Sequence, residues 1–269
     1  NDSWSTGAEN HQQEEGQWAA RKQAALQAYY EWMPIREPEP GRAFEAINRS
    51  FQFGDLFTLI MLETRLLSRS QQLDYAAQLP IEMQRWNVAN PAAPVALRAQ
   101  EPDVPQMQRL PAIYESVGGE LRPVLDWRRA QRLVADPRNL PDGFFIAPDR
   151  AAIDALLNAP DRQLMGEAQE RWFAEELAHS RQTRTAWQII GNQVLMAPLD
   201  APDLSTTPPA LAQALERLRP GVTQLLKLSR FPFPLNTDAW DGYPAARNRV
   251  LSAIRAAGAN AIVVTGDTH

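Results

Sequence analysis

Between Gln17 and Met33 apolar residues fall at Trp18, Ala25, Leu26, Tyr29 and Met33, the 3.6-residue spacing of one helix face. Pro34 and the turn Glu37-Pro-Glu-Pro end that helix. From Phe44 to Phe53 the pattern alternates as in a strand, Gly54-Asp55 turns the chain, and Leu56–Leu62 reads as a second, more buried strand. The pair predicts a hairpin at a sheet. From Leu67 to about Pro148 the chain is rich in proline and polar runs, with one helical stretch near Leu121–Val134. So long a segment without evident elements predicts a loop-rich insertion, at about 67–148, over one face or edge of the sheet.

Order returns at Asp149–Asn158, a short helix with Asp149 as its N-cap. Gly166–His179 is an amphipathic helix with Ala168, Trp172, Phe173 and Leu177 facing inward, and His179 suits its C-terminal dipole. Trp187–Met196 is a strand and Pro208–Leu218 a helix. Pro244–Ala257 is a clearer helix, with proline in its first turn and Val250, Leu251 and Ile254 on one face. Gly258 ends it, and Asn260–Thr265 forms the last strand. Helices between strands predict a layered α/β or α+β domain, and no internal repeat is present.

Composition narrows the function classes. The 269 residues suffice for one large α/β domain or two small ones, and 44% hydrophobic content allows a sizeable core. No run approaches the roughly 18 to 20 apolar residues of a membrane-spanning helix. The net charge of −5 is spread along the chain, with no basic stripe, which argues against a nucleic-acid scaffold. The absence of cysteine excludes disulfides, thiolate metal sites and a cysteine nucleophile, and leaves the compartment open. The chain opens on Asn-Asp-Ser-Trp and stops at Gly-Asp-Thr-His, and we read both ends as cuts through a longer reading frame.

Four segments carry candidate chemistry. In Ala261-Ile-Val-Val-Thr-Gly-Asp-Thr-His269 a buried strand runs into a glycine, then an aspartate and a histidine two residues apart. Ligands of α/β sheets sit beyond the carboxyl ends of strands, and Asp267 and His269 suit zinc, iron or manganese. An ordinary turn is the other reading, since two ligands do not complete a metal site. Thr237-Asp-Ala-Trp-Asp-Gly-Tyr-Pro-Ala-Ala-Arg247 leads into a helix start that could offer free N–H groups and the Arg247 guanidinium to an anion. Capping, with Trp240 and Tyr243 packed on the helix, is its structural alternative. In Leu62-Glu-Thr-Arg-Leu-Leu-Ser-Arg69, Glu63 and Arg65 form an ion pair or face a site. The polar start, Asn1 to His11, reads equally as a loop. No Gly-x-Ser-x-Gly elbow, P-loop or Gly-x-Gly-x-x-Gly fingerprint occurs.

Taken in order, these segments resemble the alkaline phosphatase D (PhoD-like) family of metallophosphatases. The likeness runs through Asn1-Asp-Ser-Trp, Arg21 to Arg36, Ser50-Phe-Gln-Phe-Gly-Asp, Leu62-Glu-Thr-Arg, Leu164 to Trp172, Trp187 to Val194, Asp238 to Arg247, and Val264-Thr-Gly-Asp-Thr-His269. It implies a calcineurin-like β-sandwich flanked by helices, incomplete in this chain, which would be the C-terminal part of the catalytic domain. It implies metal-dependent hydrolysis of phosphomonoesters or phosphodiesters at a dinuclear centre of Ca2+ and Fe3+, in an enzyme inactive as this piece alone. The family's Asp-Asp-His-Glu motif would lie just before Asn1. Asp267 and His269 match the Gly-Asp-x-His metal motif. Asn1 follows the absent motif, where an amide can contact metal or phosphate. Arg247 matches a recurrent Tyr-Pro-x-x-Arg of catalytic or structural use. Many relatives have aspartate at the place of Glu63, which leaves its role open. The resemblance also implies a periplasmic or secreted protein exported by the twin-arginine route. The alternative is a degenerate, non-catalytic module that binds partners; the oligomeric state stays open.

Overall fold

In the computed structural model, which describes residues 3–8, 11–137, 140–200, 202–218, 221–231, 234 and 236–267, the elements follow one another as below. The first are β1 (Ser3–Trp4), β2 (Gly7–Ala8), α1 (Trp18–Trp32), β3 (Arg49–Phe53) and β4 (Phe57–Met61). Next come α2 (Tyr75–Gln78), β5 (Met83–Asn87), β6 (Val95–Ala96), β7 (Met107–Pro111), β8 (Ile113–Val117), β9 (Glu120–Pro123), α3 (Trp127–Val134) and β10 (Phe144–Ile146). The chain continues through α4 (Arg150–Leu157), α5 (Glu167–Gln182), β11 (Trp187–Val194), α6 (Pro209–Leu218), α7 (Val222–Leu228), α8 (Pro244–Ala256) and β12 (Ala261–Asp267). They fall into two compact units. The first comprises Asn1–Asp74, Leu156–Leu199 and Pro234–His269; the second comprises Tyr75–Ala155 and Asp200–Phe233.

The first unit is organised by a four-stranded sheet in the order β12-β11-β4-β3. The expected hairpin is there: β3 pairs antiparallel with β4, Phe51 opposite Leu59. Its first strand begins at Arg49, so Phe44–Asn48 lies outside it. β4, β11 and β12 run parallel, with Ile60 opposite Ile190 and Ile190 opposite Val263. Because side chains alternate along a strand, Thr58, Ile60, Leu62, Gln188, Ile190 and Val194 all reach the same buried face. There Ile60 and Ile190 join Phe173 and Leu177 of α5 and Ala246 and Val250 of α8 in one cluster. Each such side chain contributes about 1.5–3 kcal/mol when fully buried. Ala168, expected to face inward, is exposed, and Trp172 is half-buried. The polar residues of this face satisfy one another: Thr58 Oγ1 lies 2.7 Å from Ser180 Oγ, to which Gln188 Nε2 donates at 2.9 Å. The opposite face carries Phe51, Phe53, Met61, Trp187, Ile262 and Val264, each between 38% and 49% exposed.

The second unit corrects the loop reading of 67–148. Six strands form two antiparallel three-stranded sheets there, β6-β5-β7 and β10-β8-β9. Leu121–Val134 is strand β9 followed by the helix α3, which Asp126 caps by accepting from Arg129 N at 2.7 Å. Trp86, Ile113, Val124, Ala130 and Leu140 form the core, with the Trp86 and Trp127 rings edge to face at 5.2 Å. These strands are two to five residues long, and Pro111 and Pro123 end two of them. Runs this short do not develop the alternation by which a strand is read from sequence.

Candidate functional site at the carboxyl ends of the parallel strands

The chain leaving β4 is fixed residue by residue. Leu62 N bonds Gly191 O at 2.8 Å, extending the ladder by one step. Glu63 then turns inward with no exposed surface. Its carboxylate accepts the successive backbone N–H groups of Arg65, Leu66 and Leu67 at 2.6, 2.8 and 2.9 Å, closing the turn on itself. Burial pushes this carboxyl above the ordinary range, while the three N–H donors pull it down. Gln169 of α5 grips the Glu63 main chain on both sides, accepting from N at 2.8 Å and donating to O at 2.7 Å. Gln193 of β11 accepts from Thr64 N and Thr64 Oγ1, both at 2.7 Å. The turn after β4 is thereby tied to a helix and to the neighbouring strand.

That turn projects two arginines toward one aspartate. Arg65 clamps Asp238 with both terminal nitrogens, Nη2 to Oδ2 at 2.8 Å and Nη1 to Oδ1 at 3.4 Å. Arg69, fully buried, donates to Asp238 Oδ1 at 2.5 Å and to the Asp238 carbonyl, and also to Thr64 O at 3.1 Å. Its guanidinium lies 5.3 Å from the Tyr243 ring centroid, and Arg162 lies 4.8 Å from it. The Tyr243 hydroxyl donates to Ser70 O at 2.6 Å, and burial raises its phenol above the usual range. Asp238 is held at its own amide by Asn236 Oδ1 at 2.8 Å. Next along the loop, buried Trp240 donates Nε1–H to Asn192 Oδ1 of β11 at 3.1 Å. The β1–β2 hairpin attaches to the same network, since Ser5 N and Ser5 Oγ donate to Arg69 O at 3.1 and 3.0 Å.

Against this geometry the expected site residues fall as follows. Asp267 ends β12 opposite Val194, with 30% of its side chain exposed and Oδ2 4.0 Å from Arg65 Nη2. Asn1 and His269 lie outside the described residues. Arg247 spends its guanidinium on Asp241 Oδ1 at 2.5 Å and on Met196 O at 3.4 Å, and Asp241 Oδ2 accepts from Leu199 N at 2.8 Å. Arg247 thus anchors the loop before α8. The expected Glu63–Arg65 ion pair is replaced: Glu63 takes the Arg65 amide, and the Arg65 side chain goes to Asp238. Among the described residues no three carboxylate or imidazole groups gather as a metal site. Asp267 alone stands where a ligand is expected, so the described residues do not by themselves fit a two-metal centre, and no catalytic step is derived through one. The sequence pointed to each segment separately; that Arg65, Arg69 and Asp238 meet is the part it did not give.

Comparison with known proteins places this architecture. The family model of the PhoD-like phosphatases matches residues 1–269. The chain belongs to the PhoD-like phosphatase family. Alkaline phosphatase D of Bacillus subtilis (strain 168) is 29% identical to it over 111 residues, 41% of this chain and 14% of that protein. A solved structure of PhoD matches 99% of the chain and 32% of its own length, with a TM-score of 0.52 at 20% identity. At that identity the likeness shows the fold, a mixed α/β PhoD-like arrangement. The PhoD-like chain spans about a third of the length of the solved protein it matches. Among the described residues no helix is long and apolar enough to cross a membrane.

Proposed function

We propose that the protein of which this chain is part is a metal-dependent phosphoester hydrolase of the alkaline phosphatase D or phosphodiesterase type. The observation that carries the reading is the position of Asp267. It ends a parallel strand, beside the Arg65–Asp238 network, inside a family match that runs the length of the chain. Asp267 and His269 are this chain's contribution to the metal site in this reading, with Asn1 as an amide for metal or phosphate and further ligands supplied from outside residues 1–269. Calcium and iron are the proposed metals; a bound pair would polarise a phosphoryl oxygen and lower the pKa of a bound water. Arg247 serves the site indirectly, by holding Asp241 and through it the loop that carries Asp238 and Trp240. The substrate is a small phosphomonoester or phosphodiester, and the expected location is periplasmic or secreted.

The exposed sheet face supports the accompanying fold reading. Six large apolar side chains in register across four strands, each more than a third exposed, form a surface that a second sheet of a calcineurin-like sandwich would cover.

The test is the protein extended to its natural reading frame, assayed on bis-p-nitrophenyl phosphate with and without calcium and iron. Bound metal is measured by mass spectrometry, with Asp267→Ala as control. Metal-dependent turnover lost in the control is the expected result. Absence of both turnover and bound metal overturns the reading and leaves a non-catalytic module.

A further inference from the structure

We propose that Arg65 is a substrate-contacting residue that takes a phosphoryl oxygen of the phosphoester, or of the phosphate product, beside Asp267. The proposal rests on the hydrolase reading above and adds to it the group that receives the anion.

Arg65 is held on one edge and open on the other. Its two terminal nitrogens grip Asp238, which fixes the plane of the guanidinium. A guanidinium has five N–H donors in a rigid fork, so the clamp leaves donors unused. The separation from Asp267, 4.0 Å, is too long for a hydrogen bond, and no other acceptor among the described residues meets the Arg65 side chain. Arg65 keeps 13% of its side chain exposed, whereas Arg69 keeps none. Of the two guanidiniums on Asp238, only Arg65 can therefore meet a ligand from solvent.

The local charge favours an anion there. Asp238 is one carboxylate shared by two guanidiniums, and the Arg162 guanidinium, like that of Arg69, lies over the Tyr243 ring. Buried Glu63 is a counter-charge to Arg69. Asp267 is the counter-charge beside Arg65, and in the proposed function its carboxylate is committed to metal. Asp161 faces Arg162, so the cation that opens to solvent at the ends of the strands is Arg65, a side chain already oriented by Asp238. Preorganised donors of this kind act strongly on phosphoryl oxygens because they need no rearrangement as charge develops.

The experiment compares wild type, Arg65→Lys and Arg65→Gln in the protein extended to its natural reading frame. Lysine retains a cation for Asp238, which protects the fold, but lacks the fork. Four quantities are read: bound metal, thermal midpoint, kcat and KM on bis-p-nitrophenyl phosphate, and calorimetric affinity for inorganic phosphate. The expected result is an unchanged metal content and midpoint in Arg65→Lys. With it, kcat/KM falls on the order of a hundredfold, and phosphate affinity falls alongside. Loss of metal in step with activity overturns the proposal, because Arg65 would then act by orienting Asp267. Unchanged kinetics and phosphate affinity overturn it as well. If the wild type turns nothing over yet binds phosphate through Arg65, the hydrolase reading fails and this proposal stands. If the wild type neither hydrolyses the ester nor binds phosphate, both fail.

Discussion

The two units bury different chemistry. Among the described residues, the second unit has one buried polar side chain, Ser229, while the first buries Glu63, Arg69, Gln169, Gln188, Asn192, Asp238 and Asp241 together with several hydroxyls. Several ion pairs of the second unit are solvent-exposed: Arg85–Asp103, Arg109–Asp103 and Arg122–Glu120 each include a carboxylate more than half exposed, while Glu115 and Asp203, paired with Arg129 and Arg230, are 32% and 39% exposed. Desolvating charged and amide groups costs several kcal/mol per ion even when they are paired. A fold that needed only stability would match the second unit. In the first unit Glu63, Arg69, Gln169, Asn192 and Asp238 gather where the parallel strands end and fix the direction of Arg65, while Gln188, Thr58 and Ser180 form a second buried network at the start of β4 and β11. The difference sets apart the unit that carries the candidate site.

The largest expected effect tests that contrast directly. Arg69→Met leaves Asp238 only its Arg65 clamp and strands the buried acceptors that Arg69 served, the Asp238 carbonyl and Thr64 O, at about 1–3 kcal/mol for each. Arg122→Ala, in the second unit, breaks a pair between two exposed side chains and changes stability by less than about 0.5 kcal/mol. Urea denaturation of both variants reads the difference. Equal effects would show that the buried network is no more than another surface pair.

A second pair of substitutions probes the loop that carries Asp238. A Cβ at Gly242 would run into the Thr237 carbonyl, which is backbone and cannot step aside. Gly242→Ala therefore costs about 1–3 kcal/mol, and weakens the Arg65 clamp with it. A Cβ at Gly191 would meet the thioether of Met61, the end of a flexible side chain on the exposed sheet face. Gly191→Ala is expected to cost less than about 1 kcal/mol, inside the usual range of tolerated changes. Thermal midpoints of the two variants, with turnover measured alongside, separate a rigid loop from a forgiving sheet surface.

How much of this was legible in the sequence follows the length and regularity of each element. The β3–β4 hairpin, α5, α8 and β12 were readable because Ile60, Phe173, Leu177, Val250 and Val263 repeat at strand or helix spacing over enough residues to register. The strands of the second unit were missed because pieces such as Val95–Ala96 are too short to show a period. The site was half legible. The segments around Glu63 and Asp238 each stood out as dense in charge, but their meeting joins residues 169 and 173 positions apart. No local pattern reports such a contact. Arg65 consequently looked like a partner for Glu63, two residues away, when the carboxylate it needed was supplied by a distant loop.

The indoles offer a finer test. Trp240, in the first unit, donates Nε1–H to Asn192; Trp86, in the second, is buried with Nε1 unpartnered. Both lose similar volume on replacement by phenylalanine. Trp240→Phe also strands the Asn192 oxygen, whereas Trp86→Phe removes a polar atom that had no partner. The first variant should therefore be the less stable by about 1–3 kcal/mol, the cost of an unsatisfied buried acceptor. Denaturation midpoints decide it; the reverse order would mean that Asn192 finds another donor without cost.

The smallest expected effect concerns a titratable group of the second unit that burial shifts. Burial, then the charge of Glu82, pushes the Tyr114 phenol up to about 12, and its hydroxyl donates to both Glu82 oxygens at 3.0 and 3.2 Å. A folded-state pKa above the unfolded value of about 10 means that the native state holds the proton longer. The stabilisation is therefore complete below pH 10 and disappears as pH rises from about 10 to about 12. Ultraviolet difference absorbance should show the Tyr114 tyrosinate appearing late, and Glu82→Gln should bring it back toward 10. Tyr114→Phe should flatten the pH dependence of stability in that interval. An unshifted Tyr114 would mean that this carboxylate–phenol contact is open to water like the ion pairs around it. The contrast between a solvated second unit and a desolvated first one would then be sharper still.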